Sequence, residues 1–154
     1  MKVRLKRKIY PLFTLILAIV CCTVCLTACN TGDDESNGEG KTVGRIVEST
    51  GERVVIFVEE ANGETTLFEV MEALSEGGDF TYELSGTMVN TINGKENASD
   101  FSACWMLYTS DSEMGNSAWG TCEYQGLTCP SAIVGGDALT VCAGAYYIWD
   151  YVTF

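Results

Sequence analysis

The pattern of apolar and polar residues predicts mostly strands after residue 42. Val43–Ser49 and Arg53–Glu59 have the β-branched and aromatic composition of strands, and Gly51 separates them. Ala103–Thr109 alternates between two faces, one of which carries Trp105. Further strands are expected at 80–84, 88–92, 138–142 and 146–152, which makes about seven short strands.

One segment has helical rather than alternating periodicity. Its apolar residues recur every three or four positions: Leu67, Val70, Met71 and Leu74. Thr66 and Glu69 form the capping-box pattern before them, and Gly77-Gly78 ends the helix. By contrast, Ser110–Pro130 is rich in glycine, serine and small polar residues and is expected to be irregular. The chain therefore predicts an α+β domain, in which one helix covers a mostly antiparallel or mixed sheet.

The first 29 residues have a different organisation. Five basic residues precede an apolar run from Ile9 to about Leu26, and Leu26-Thr27-Ala28-Cys29 follows. This arrangement resembles a bacterial lipoprotein signal peptide. The resemblance implies that residues 1–28 are removed and that Cys29 receives diacylglycerol, which would hold the protein on the extracytoplasmic face of the cell membrane. A retained transmembrane anchor and a soluble protein are the alternatives; the run has only about the minimal spanning length, and Pro11 interrupts it.

The expected processing makes the protein strongly acidic. Five of the nine basic residues lie in residues 1–28, so four remain against 21 carboxylates, a formal charge of −17. Such a chain repels nucleic acid and anionic lipid headgroups, which excludes a nucleic-acid function. Residues 29–41 contain no apolar residue after Cys29 and predict a flexible acidic tether. Residues 42–154 are long enough for one core.

Four cysteines lie in this domain: Cys104, Cys122, Cys129 and Cys142. An even number in an extracytoplasmic domain favours two disulfides, and three pairings are possible. We expect Cys122–Cys129, which closes a short loop, and Cys104–Cys142, which would join two strands. A zinc site is the alternative, although the close Cys-x-x-Cys pairs typical of structural zinc are missing. No metal and no cofactor is expected.

A family resemblance rests on four ordered segments: residues 66–74, 90–94, 105–108 and 147–151. Together they resemble the transcobalamin-like C-terminal domain of Gram-positive surface proteins and lipoproteins. The resemblance implies a β-grasp-like fold, in which a sheet wraps around one helix. In vitamin carriers this domain binds cobalamin together with a helical barrel domain. Residues 1–154 contain neither such a barrel nor any histidine that could coordinate cobalt.

The candidate functional residues are aromatic. The absence of histidine removes the commonest general base, and no nucleophile has an evident activator, so no enzymatic activity is expected. Trp105 and Trp149 are expected in the core, whereas Trp119, Tyr124 and Tyr108 are the candidate ligand-binding residues. The first hypothesis is therefore a non-enzymatic module that binds a small molecule or a surface protein. The alternatives are a structural or adhesive surface module and, third, an enzyme or thiol-redox protein.

Overall fold

The structure is a computed structural model that describes residues 40–154. Nine strands and one helix follow one another in this part of the chain. In chain order they are β1 (Val43–Ser49), β2 (Arg53–Glu60), α1 (Leu67–Glu76), β3 (Tyr82–Ser85), β4 (Met88–Ile92), β5 (Lys95–Glu96), β6 (Ala103–Thr109), β7 (Gly115–Tyr124), β8 (Leu127–Ala132) and β9 (Tyr146–Thr153). The α+β prediction is confirmed: the described chain is mostly antiparallel sheet with one helix.

Six strands form the main sheet, in the order β1-β2-β9-β6-β8-β7, and every pairing is antiparallel. The remaining strands form a small sheet in the order β3-β4-β5. The small sheet is attached by Trp105, whose indole N–H donates to the Lys95 carbonyl at 2.8 Å, and by Tyr151, whose hydroxyl donates to the Glu96 carbonyl at 2.9 Å. Both donors come from the main sheet.

The helix α1 packs on one face of the main sheet and encloses the first core. Its buried residues are Leu67, Val70, Met71 and Leu74, as their spacing predicts. They meet Val54, Ile56 and Val58 of β2 together with Trp105 and Trp149, which confirms that both tryptophans are core residues. The indole N–H of Trp149 is buried and has no hydrogen-bond partner within residues 40–154, in contrast to that of Trp105.

The sequence signals at both helix ends are confirmed. The Thr66 hydroxyl accepts from the Glu69 N–H at 3.4 Å, and the Thr66 N–H donates to the Glu69 carboxylate at 2.7 Å. At the other end the Gly77 N–H donates to the Ala73 carbonyl at 3.1 Å. These bonds satisfy backbone groups that a helix leaves unpaired at its termini.

The prediction of a strand at 138–142 is wrong. This segment runs past the start of α1, and a single bridge joins Thr140 to Thr66. The carbonyls of Leu139 and Gly136 instead accept from the N–H groups of Leu67 and Phe68, at 2.8 and 3.0 Å. The segment therefore completes the helix N-terminus and uses its backbone there rather than in a sheet.

We predict that Thr66→Ala lowers the free energy of unfolding by about 1 kcal/mol, because it removes the hydroxyl that caps α1. Urea denaturation of the purified chain measures this difference. Glu69→Gln is the matched control, since glutamine can make the same reciprocal bond to the Thr66 N–H. Equal unfolding midpoints for Thr66→Ala and the native chain would contradict a stabilising role of the cap.

Candidate functional site

The face of the main sheet opposite α1 is covered by the β7–β8 hairpin. β8 pairs with β6 at one position, Tyr108 opposite Ser131. Beyond it, buried residues of the hairpin pack against Val55 of β2 and Ile148 of β9. At its tip the ring of Tyr124 lies 5.2 Å from that of Tyr146, and the Glu123 carbonyl accepts from the Arg53 guanidinium at 3.5 Å. A second core lies beneath it: Val55, Tyr108, Cys122, Tyr124, Cys129 and Ile148.

The prediction of an irregular loop at Ser110–Pro130 is therefore wrong. The hairpin turns at Gln125 and Gly126, which both have positive φ, 49° and 81°, as in the tight turns that suit hairpins. Gln-Gly is a weaker turn signal than Asn-Gly, and the many small residues of β7 give no clear alternation of apolar and polar positions. The sequence feature that does indicate a strand is the alternation of Cys122 and Tyr124, the two buried residues before the turn.

An ion pair at the edge of the second core supports this arrangement. The Arg53 guanidinium donates to both carboxylate oxygens of Asp150 on the neighbouring strand, at 2.6 and 2.5 Å. Both side chains are largely shielded from solvent, and the hydrogen bonds to Asp150 raise the pKa of Arg53 above its usual range. The guanidinium stays charged, and its third nitrogen donates to the hairpin backbone.

Cys122 and Cys129 lie directly opposite each other on β7 and β8. Opposed residues of an antiparallel pair have Cα atoms about 4.5 to 5.5 Å apart, a separation that a disulfide can span. Both are free thiols in this structure and both are buried. Burial raises the pKa of the Cys122 thiol to about 12, so very little reactive thiolate exists at neutral pH. The pair suits a structural disulfide better than redox catalysis.

The expected Cys104–Cys142 pairing is wrong. Cys104 lies on the hairpin-covered face of β6, with its sulfur 3.8 Å from that of Met106. Cys142 packs against the first core instead, 3.5 Å from an Asp111 carboxylate oxygen, and its N–H donates to the Tyr147 hydroxyl. Cys104 and Tyr147 also lie near opposite ends of the β6–β9 pairing. No group of metal-ligating side chains that could form a zinc site occurs within residues 40–154.

The three candidate binding aromatics do not form one site. Tyr108 and Tyr124 are 6% and 7% exposed and belong to the second core, so the expectation that Tyr124 is an exposed loop residue is wrong. Trp119 is 59% exposed. It lies in β7 between Asn116 and Thr121, where the register with β8 shifts and Gly120 has a φ of 124°. This bulge presents Trp119 on an edge strand, apart from the other two.

A groove lies between β1 and α1. It has a volume of about 360 Å³, and its lining comes from the start of β1, from Thr65 and from one side of the helix. Gly44 allows the close approach of the two elements, because a Cβ at this position would lie 2.7 Å from the Val70 side chain. A hydrogen bond of 2.9 Å between the hydroxyls of Thr42 and Thr65 joins the residue before β1 to the segment before the helix. The sequence did not predict this groove.

A second hollow of about 410 Å³ lies on the other side of α1. It is lined by Glu72, Ser75, Glu76, Tyr82 and Leu84. The exposed ridge of the helix between the two hollows carries Glu69, Glu72 and Glu76. The Thr66 backbone and hydroxyl lower the pKa of Glu69, so this carboxylate is charged at neutral pH.

Negative charge on the described domain is largely unneutralised. Residues 40–154 contain four basic residues against 17 carboxylates, a formal charge of −13. Three of these carboxylates form ion pairs, namely Glu59 with Arg45, Asp150 with Arg53 and Glu52 with Lys95. The other 14 have no such partner within this part of the chain. Lys41, at the groove, is the remaining basic residue.

Comparison of the chain with protein-family models, curated proteins and solved structures finds no match. Among residues 40–154, no helix has the length and apolar character needed to cross a membrane. The lipidation site expected at Cys29 and the tether that follows it lie outside the described residues, apart from the last two positions of the tether. The function is therefore inferred from the geometry of residues 40–154.

We predict that refolding of the reduced chain in the presence of glutathione disulfide, while its thiols are still accessible, forms Cys122–Cys129 and leaves Cys104 and Cys142 as thiols. The two cysteines lose two protons and two electrons, and glutathione disulfide is reduced. Alkylation under denaturing, non-reducing conditions followed by peptide mapping measures the outcome. In the control variant Cys129→Ser, Cys122 should be alkylated as well. A Cys104–Cys142 bridge, or four alkylated cysteines in residues 40–154, would contradict the prediction.

Proposed function

We propose that the protein is a lipid-anchored extracytoplasmic module that binds a protein partner and catalyses no reaction. The groove between β1 and α1 carries this proposal. It combines an apolar lining from α1 with the edge strand of the main sheet, whose backbone can pair with another chain. The hollows beside α1, about 360 and 410 Å³, are at the lower end of ligand-pocket volumes and suit individual side chains better than a macrocycle such as cobalamin.

The proposed anchor agrees with the charge of the domain. Diacylglycerol supplies two acyl chains, and two chains give stable attachment where one gives marginal attachment. An acidic domain next to an anionic membrane is repelled by the lipid headgroups. A polar tether at residues 29–41 would hold such a domain away from the surface, with the groove accessible to a partner.

We further propose that the domain has a β-grasp-like fold. The packing of α1 across the main sheet supports it, since a single helix encloses the first core. The hairpin that covers the opposite face is an addition to a sheet wrapped on one helix.

A structural or adhesive role is the second candidate, and the position of Trp119 favours it. This side chain is largely exposed on β7, at the opposite edge of the main sheet from the groove, and it lines neither hollow. An exposed indole on a strand edge suits a contact with another protein better than the capture of a small molecule.

We predict that Cys29→Ser prevents lipidation and moves the chain out of the membrane fraction. Expression in a bacterial host, followed by fractionation and mass measurement of the N-terminal peptide, tests the prediction. Cys25→Ser is the matched control, because it changes a cysteine within the expected signal peptide and should leave lipidation intact. Membrane association of an unmodified chain that keeps residues 1–28 would instead indicate a retained anchor, and a soluble native chain would overturn the proposed attachment.

A further inference from the structure

The free edge of the main sheet runs along the groove. β1 is the outermost strand, and within residues 40–154 its only strand partner is β2. Register irregularities fall between Val43 and Gly44 and between Ile46 and Glu48, so the longest regular part of the edge is Gly44–Ile46. Backbone N–H and C=O groups on the outer side of an edge strand can pair with an extended chain. The short regular stretch permits a few such bonds.

The groove is placed to receive side chains from a chain paired in this way. Side chains of an extended strand alternate between the two faces of a sheet, so every second residue of an added strand would point towards the α1 side. There it meets a lining that includes Val70, Ala73 and Leu74. Ala73 is an exposed alanine of α1, and its small side chain leaves this space open.

The charge around the groove selects the kind of chain that fits. Lys41 and Glu69 both line the groove, whereas Glu72 and Glu76 lie beyond Glu69 on the exposed ridge and line the second hollow. Around them, 14 carboxylates of the described domain have no ion-pair partner within residues 40–154. A second copy of this chain brings the same large negative charge to the contact and is repelled. A positively charged segment is attracted, and the opposite potentials also speed its association.

We propose that the groove binds an extended, cationic segment of a partner protein, which adds a strand to the edge of β1 and places alternate apolar side chains between β1 and α1. This inference specifies the partner in the proposed function and rests on it. Backbone pairing along Gly44–Ile46 supplies the extended geometry, and the α1 lining selects apolar residues at every second position. The intervening side chains point to the other face of the sheet, where the large net negative charge of the domain favours basic residues.

The test uses the complete chain in non-ionic detergent and a blocked eight-residue peptide of alternating lysine and valine. Isothermal titration calorimetry measures the affinity. A lysine–proline peptide of the same length keeps the charge but removes the N–H donors of alternate residues, and a glutamate–valine peptide reverses the charge. We expect binding of the lysine–valine peptide only, with an affinity that falls as salt is added.

Two substitutions on α1 locate the binding site. Ala73→Trp fills the groove and should weaken peptide binding at least about tenfold, because the displaced apolar side chain loses its contacts. Ser75→Trp is the matched control, since it introduces the same side chain on the same helix but in the other hollow, and it should change affinity less than about twofold. Glu69→Gln keeps the helix cap and removes one charge, so it should weaken binding by about two- to threefold at low salt.

Several outcomes would overturn the inference. Equal binding of the lysine–proline peptide would show attraction by charge alone, and equal losses in Ala73→Trp and Ser75→Trp would place the site elsewhere. No binding to a chain with native circular dichroism would exclude a cationic partner strand. A dimer in sedimentation that Ala73→Trp dissociates would assign the edge to a second copy. A lipidated Cys29 with no peptide binding would refute this inference alone, whereas an unmodified Cys29 would refute the proposed anchor.

Discussion

The structure depends on burial of both faces of β2 and β9, two neighbouring inner strands of the main sheet. Val54, Ile56 and Val58 contribute to the core under α1, whereas Val55 contributes to the core under the β7–β8 hairpin. A strand that is covered on both sides has no face towards solvent where polar residues would be favoured. The strand β2 therefore contains an unbroken apolar run from Val54 to Val58. Removing either cover would expose half of this run to water.

The two covers differ in how they are held. α1 is fixed at its start by its own capping box and by carbonyls of the 136–139 segment, which pair the N–H groups that open a helix. The hairpin meets the sheet through a single pair with β6 and then through side chains, with Arg53 linking Asp150 of β9 to the hairpin backbone. With both faces of the main sheet covered, its two outer strands are where unpaired backbone remains. They are β1, beside an acidic helix, and β7, which carries Trp119.

Much of the fold could be predicted because its signals are local. The bounds of β1 and β6 follow from their composition and alternation, and the limits of α1 follow from Thr66, Glu69 and Gly77. The hairpin could not be predicted in the same way, because the glycine and serine residues of β7 lack strand propensity. Their strand conformation is imposed by pairing with β8 and by Cys122 and Tyr124, which are buried against a distant part of the chain.

The sequence by itself determined the α+β class, the helix with its caps, the core role of Trp105 and Trp149, and the acidity of the domain. These depend on periodicity, capping chemistry and charge, which are properties of short segments or of composition. Only the tertiary structure decided that Tyr108 and Tyr124 are buried, that Cys104 and Cys142 lie apart, and that a groove opens between β1 and α1. Each of these depends on which residues, distant along the chain, meet across the two faces and the edge of one sheet.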